Sequence, residues 1–493
     1  MARRKRLRTT RTSRTKCRRN EACEAPNKEH LVGMLGWLLP EESIFSKMRL
    51  HGNTKWLPKY LVCLTLVWVW SEARHLTDAY VEAVQGCNSM FGCVMLRTYQ
   101  GFMGALTRWT ATLMKILWPV LHERMEEIGG RFWCIHGWVP IAFDGSRSTA
   151  PRTTANERAF CAKHYGKGKT AKYRKKKTKG VRRKKNKRNK AQPQEPQAWI
   201  TLLWHVGLRL PWMWRLGPSN ASERAHVMEM IDGGKYPRNT LFCGDAGFVG
   251  FPLWSAILQR GGHFLVRVGA NVSLLREGAD YELAKNGLVL CWPRAMQGKQ
   301  LPLRLRLVKV RIGRTAVYLL TSVLDSKKLT IQQMVELYKM RWGIEVEFRG
   351  LKQTLDRAKL RCRNDRRLLA ELDWSIMAMA VAELFALREQ LATKPPTRDA
   401  CREPADPSRR SLANMVRALR SCLHALDAVP GAGADLPTLL RKAVTDGYNR
   451  KKPKHARYRP PNPDKKPLGA PHVRKITVRE KKRLRETLKE LAV

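Results

Sequence analysis

The sequence predicts an α/β fold: a mixed-sheet core preceded by a helical N-terminal domain. Three observations carry this. Val139 to Phe143 and Thr240 to Cys243 are short apolar runs, each stopping on an Asp in a Gly-containing turn, as buried strands of an open sheet do. Between them Ile200, Leu202, Trp204 and Val206 alternate with their neighbours, and so do Leu208, Leu210, Trp212 and Trp214, which makes a hairpin about Gly207. On either side, residues 28–130 and 329–392 carry the three- and four-residue apolar spacing of helices.

Composition narrows the partners. Of 493 residues, 43% are hydrophobic, which sets aside a wholly disordered chain. Lys and Arg number 94 against 41 Asp and Glu, a net charge of +53. Self-repulsion on that scale calls for a polyanion, and double-stranded DNA is the expected partner. A membrane is not: the longest apolar run, Leu61 to Trp70, is half the roughly 20 residues a spanning helix needs, and no apolar stretch follows the basic N-terminus as in a secretory signal. The 12 cysteines are scattered, with no C-x-x-C pair, so neither a disulfide scaffold nor a structural zinc site is expected. A reduced, cytoplasmic, nucleoid-associated protein fits these features.

Taken in order, residues 1–27 read as a disordered basic arm, with ten of positions 3–19 Lys or Arg and none acidic. Residues 28–130 form the helical domain, where Leu31, Met34, Leu35, Leu38 and Leu39 make one apolar face; DNA binding and plain packing are both open to it. A second domain spans 131–392. It contains a basic loop, 163–196, in which 16 of the 28 residues from Lys163 to Lys190 are cationic, a density no packed core can hold. Asn220 and Glu223 stand at N-cap and N3 spacing ahead of a helix. Residues 270–325 read as strands, clearest at Leu288–Cys291 and Leu303–Val310. One long helix is expected over 329–356 and another over 366–392, and residues 408–493 form a helical and basic C-terminal region.

Asp144 and Asp245 lie just past strand ends, where side chains are held rigidly yet stay accessible. At about 100° per residue, Tyr338, Arg341, Glu345 and Lys352 fall within a roughly 60° arc of the 329–356 helix. An apolar stripe (Leu337, Met340, Ile344, Phe348, Leu351, Leu355) runs beside them. Glu347 falls near 180°, away from the polar row, so geometry selects Glu345 as the acid that joins the aspartates, and Glu347→Ala is expected to be nearly silent. Three carboxylates from separate elements can hold two Mg²⁺ ions, with Mn²⁺ as a substitute, for in-line phosphoryl displacement. Tyr338, Arg341 and Lys352 are then candidates for binding DNA phosphates.

The pattern Tyr338-x2-Arg341-x3-Glu345-x6-Lys352 resembles the Y-x2-R-x3-E-x6-K signature of DDE transposases from bacterial insertion sequences. Asp144-Gly145-Ser146 and Asp245-Ala246-Gly247-Phe248 resemble that group's first and second aspartate motifs, and the likeness runs from about residue 70 to 390. The resemblance implies an RNase H-like core with a β-strand-rich insertion between the second Asp and the Glu. It implies cut-and-paste transposition: hydrolysis at terminal inverted repeats, then attack of the freed 3′-hydroxyl on target DNA, with a homodimer joining the two ends. A hairpin step with an extruded base on an aromatic side chain would make Trp292 the candidate for stacking, with Trp342 as a second. The basic run 163–190 is larger than the pattern requires. Two other readings stay open: an RNase H-like metal-dependent nuclease without strand transfer, and a non-catalytic basic DNA-binding descendant.

Overall fold

The computed structural model describes residues 27–92, 96–161, 195–276, 287–313, 315–392, 406–426, 435–445 and 468–490. The basic arm, but for Asn27, and the run 163–190 lie outside the described residues.

Four helices come first: α1 (Asn27–Leu38), α2 (Pro58–Trp70), α3 (Leu76–Phe91) and α4 (Tyr99–Gly129). In α2 every residue from Leu61 to Trp70 is buried, as a helix apolar on all sides must be. It packs against α3 and against a later 27-residue helix, α10 (Asp365–Leu391). Two long-range bonds tie that packing down: Trp70 Nε1 donates to the Ala378 carbonyl at 3.0 Å, and Trp374 Nε1 to Thr110 Oγ1 at 2.9 Å.

The chain then builds a ten-stranded sheet in the order β10-β6-β7-β8-β9-β5-β4-β1-β2-β3. Its first five strands are β1 (Val139–Thr149), β2 (Gln197–His205), β3 (Leu210–Gly217), β4 (Thr240–Gly244) and β5 (His263–Val268). β1, β4 and β5 run parallel, and β2 and β3 fold back antiparallel as the hairpin. β4 and most of β2 are buried, as is β1 up to Phe143, because helices cover the sheet; β1 is more open beyond Asp144. Short helices α5 (Thr154–Phe160), α6 (Glu223–Gly233) and α7 (Phe251–Gln259) connect them. α6 starts later than the spacing suggests: Ser222, not Asn220, is its N-cap, and Glu223 is its first residue.

The strand-rich 270–325 supplies β6 (Ser273–Arg276), β7 (Leu288–Cys291), β8 (Leu303–Ile312) and β9 (Thr315–Thr321). β9 pairs antiparallel with β5, so this segment extends the same sheet. Near the C-terminus β10 (His472–Lys475) adds parallel to β6, and α13 (Val478–Glu490) follows it. Trp292 belongs to this layer's interior. It is 4% exposed, packs with Leu275, Leu290 and Ile476, and donates its indole N–H to the Gln300 carbonyl at 2.7 Å. As placed it offers no face to a base, so the stacking role expected of it is corrected to a core role; Trp342, 57% exposed, is the open ring.

The helix expected over 329–356 is broken. α8 (Ile331–Met340) stops, the bonds Trp342 N to Lys339 O, Ile344 N to Arg341 O and Glu345 N to Trp342 O tighten the path, and α9 (Gly343–Arg349) resumes before a π-turn over Gly350–Thr354. Two more helices, α11 (Leu412–His424) and α12 (Leu436–Arg441), pack on α10 and on α1.

Candidate active site

Parallel pairing of β1 with β4 sets Ala142 opposite Cys243, near the C-terminal end of β4; β1 itself runs on to Thr149 against β2, so Asp144, expected just past a strand end, lies inside the strand. Asp144 is two residues on in β1 and Asp245 is the first residue after β4, so side chains 101 positions apart (245 − 144) leave the sheet at one edge. Asp144 is fixed on both oxygens: Oδ1 accepts the Gly145 N–H at 2.8 Å, and Oδ2 faces Arg341 Nη1 at 3.4 Å. Asp245 Oδ1 accepts the Gly247 N–H at 2.8 Å, which closes a tight turn.

α9 packs against β1 and brings Glu345 to the same place. Burial pushes the Glu345 carboxyl up, and Arg341 draws it back; the charges of Asp144 and Asp245 push it up further. The Asp144 carboxyl is raised by burial against the pull of the Gly145 N–H and Arg341, with Asp245 adding to the rise. Three acids from three elements therefore share one electrostatic field. Among the described residues, however, no three Asp, Glu, His or Cys side chains converge closely enough to hold a metal ion as they stand. The donor set nevertheless suits a hard divalent cation: all carboxylate oxygen, mutually repelling, and relieved by positive charge.

A fourth acid stands here that spacing did not single out. Glu223, at the start of α6, has its carboxyl pushed up by burial and by Asp144 and Asp245. It lies over Gly145, where a Cβ would come within 2.1 Å of Glu223 Oε1.

The three expected phosphate ligands are placed differently from one another. Tyr338 is 5% exposed, with the Arg341 guanidinium 5.6 Å from its ring centre. Arg341 is 3% exposed and turned to Asp144. Both lie at the buried end of the polar row, with little surface open to a phosphate. Lys352 is half-buried at the rim, and its Nζ donates to Ser146 Oγ at 2.7 Å. Glu345 is exposed, and Glu347, 6% exposed, is a buried group and not a solvated one.

Asp144, Asp245 and Glu345 thus come from three separate elements of a mixed α/β fold, with Arg341 beside Asp144 and Lys352 on Ser146. Residues 140–381 match the family model of the transposase DDE domain. Over 256 residues it is 26% identical to the transposase InsG for insertion sequence element IS4 of Escherichia coli (strain K12), covering 50% of this chain and 51% of that one. The chain thus spans about half the length of this curated relative. Among solved structures, a cryo-EM synaptic complex of piggyBac transposase with hairpin DNA aligns over 86% of this chain and 85% of that one, at 12% identity and a TM-score of 0.36, short of a shared fold. No helix among the described residues is long and apolar enough to cross a membrane.

Proposed function

We propose that the chain is a DDE transposase of an insertion sequence, with an RNase H-like core formed by β1 to β5, that cuts DNA at the element's ends and joins them to a target. The observation that carries this is Glu345 lying in the field of both Asp144 and Asp245. In this reading Asp144, Asp245 and Glu345 hold the divalent metal, Mg²⁺ or in its place Mn²⁺. When bound, the metal supplies the positive charge that activates the attacking oxygen and stabilises the leaving one. The protein's own part is placement. The Gly145 and Gly247 N–H groups set the two aspartates. Arg341 balances the charge of Asp144 from below. Lys352, bonded to Ser146 at the rim, is the cation best placed to meet a phosphate next to the cut. Trp342 is the exposed ring beside it for a displaced base. The partner is double-stranded DNA, both ends and target, held by a homodimer.

The test is a duplex carrying the DNA that flanks the coding sequence, incubated with protein and Mg²⁺ beside a supercoiled plasmid. Cleavage at the ends with joining to the plasmid is expected. Cleavage without joining would leave a nuclease, and binding without cleavage a DNA-binding descendant.

A further inference from the structure

α9 has seven residues, too few to be stable alone, yet it must hold Glu345 in register. Its inner face buries Ile344, Glu347 and Phe348. The Glu347 carboxyl sits inside the protein against that of Glu383 on α10, 5% exposed, and the two hydrogen-bond each other. Arg410, just ahead of α11, brings its charge to both. Its Nη2 also donates to the carbonyls of Leu208, at 3.0 Å, and Arg209 in the β2–β3 turn. Two residues on, Leu412 lies on the π-turn that continues α9: a Cβ on Gly350 would come within 2.6 Å of Leu412 Cδ2. One C-terminal segment therefore packs, through Leu412, on the π-turn that continues the Glu345 helix, and brings the Arg410 charge into the field of Glu347.

Burying two carboxyls and a guanidinium costs several kcal/mol that their attraction roughly offsets, and an apolar cluster of the same volume would be as stable. What the polar cluster adds is direction: the contact of Glu347 with Glu383 and the pull of Arg410 exist in one register of α9 and are lost when the helix turns or slides, although Glu347 Oε1, Glu383 Oε2 and Arg410 Nη1 have no hydrogen-bond partner there. We propose that Glu347, Glu383 and Arg410 are positioning residues, and that residues 406–412 form a clasp that locks α9 so that Glu345 faces Asp144 and Asp245. The clasp makes the region beyond the family match part of the catalytic apparatus. Its effect on cleavage rests on the transposase reading; its effect on α9 does not.

The experiment compares Glu347→Leu, Glu347→Gln and Leu412→Ala in the full chain, by hydrogen exchange of peptides spanning 343–354 and by Mg²⁺-dependent cleavage. Glu347→Leu is expected to speed exchange in 343–354 at least tenfold while α2 and α4 stay protected, and to lower kcat at least tenfold with KM for DNA unchanged. Glu347→Gln, which can still hydrogen-bond Glu383, is expected to restore most of both, and Leu412→Ala to give a smaller change of the same kind. Unchanged exchange in 343–354 for folded Glu347→Leu overturns the clasp, as does a rise in KM with kcat intact. If the wild-type protein cleaves nothing, the transposase reading fails while the exchange arm still decides the clasp.

Discussion

Gly343→Ala puts a methyl group where there is no space. An ideal Cβ there lies 2.2 Å from Trp204 Cη2 and 2.6 Å from Arg209 Nη2. Ordinary contact begins at 3.4 Å, so something must move by 3.4 − 2.2 = 1.2 Å. Trp204 is fully buried in β2 and cannot yield, so α9 is the element that shifts. Overpacking of this kind costs about 1–3 kcal/mol. Replacing Gly by Ala in a helix returns about 1 kcal/mol, so the net loss is at most about 2 kcal/mol. Activity should suffer far more, because Glu345 is two residues away and a misplacement of about 1 Å costs on the order of 10²-fold. The control is Gly104→Ala in α4, where nothing lies within 4 Å of the new Cβ; it should gain about 1 kcal/mol and cleave normally. Urea unfolding read beside Mg²⁺-dependent nicking of DNA separates the two quantities. If Gly343→Ala matched Gly104→Ala in both, the close packing of α9 on Trp204 would have no part in setting Glu345.

Glu345→Ala should abolish Mg²⁺-dependent cleavage and leave DNA affinity in gel shifts within about twofold, because removing an acid removes no phosphate contact. Deleting 163–190, with its 16 cations, should flatten the slope of log affinity against log salt by about 0.9 for each phosphate the run had neutralised; an unaltered slope would mean the run stays off the DNA. His205 is fully buried, its Nδ1 accepts the Leu208 N–H at 3.1 Å, and burial pushes its pKa down from 6.5 to about 3. The unfolded chain therefore binds a proton that the folded one refuses, so this stability is intact above pH 6.5 and drains away as pH falls toward 3. Between pH 6.5 and 4.5 the loss is about 2–3 kcal/mol. His205→Asn, which keeps an acceptor, should reduce that slope in urea titrations, and equal slopes would refute the assignment.

The apolar start of β1 was legible in the sequence but its end was not: Asp144-Gly145 read as a stop, whereas β1 runs on to Thr149 because β2 pairs with it there. Helical phase separated Glu345 from Glu347, because a half-turn survives a small change of winding. It failed on finer points. A regular 100° step does not anticipate the three tightened bonds after Lys339, nor that Tyr338 and Arg341 are both buried. Glu347 read as idle because its partners come from elsewhere: Glu383 from α10, and Arg410 from 63 residues downstream (410 − 347). Trp292 looked available for the same reason, since Ile476, which helps cover it, lies almost at the other end of the chain.

The charge of +53 and the acid site belong to one design. A protein this basic draws DNA from any direction, but attraction alone would settle a phosphate on the nearest lysine. At the site the sign reverses: Arg341 acts on Asp144 and Glu345, Arg147 on Glu223, and each of Asp144, Glu345 and Glu223 has its carboxyl raised in part by its acidic neighbours. A bare phosphate there would be repelled, whereas a divalent cation would relieve the repulsion among the acids and attract the phosphate in the same step. Arg341 fits this account better than the part of phosphate clamp. At 3.4 Å from Asp144 it offsets enough charge to let the acids coexist, yet is held too loosely to seal the site. Positive charge at the rim then governs where DNA lands, and negative charge at the floor governs which cation must be present before it is cut.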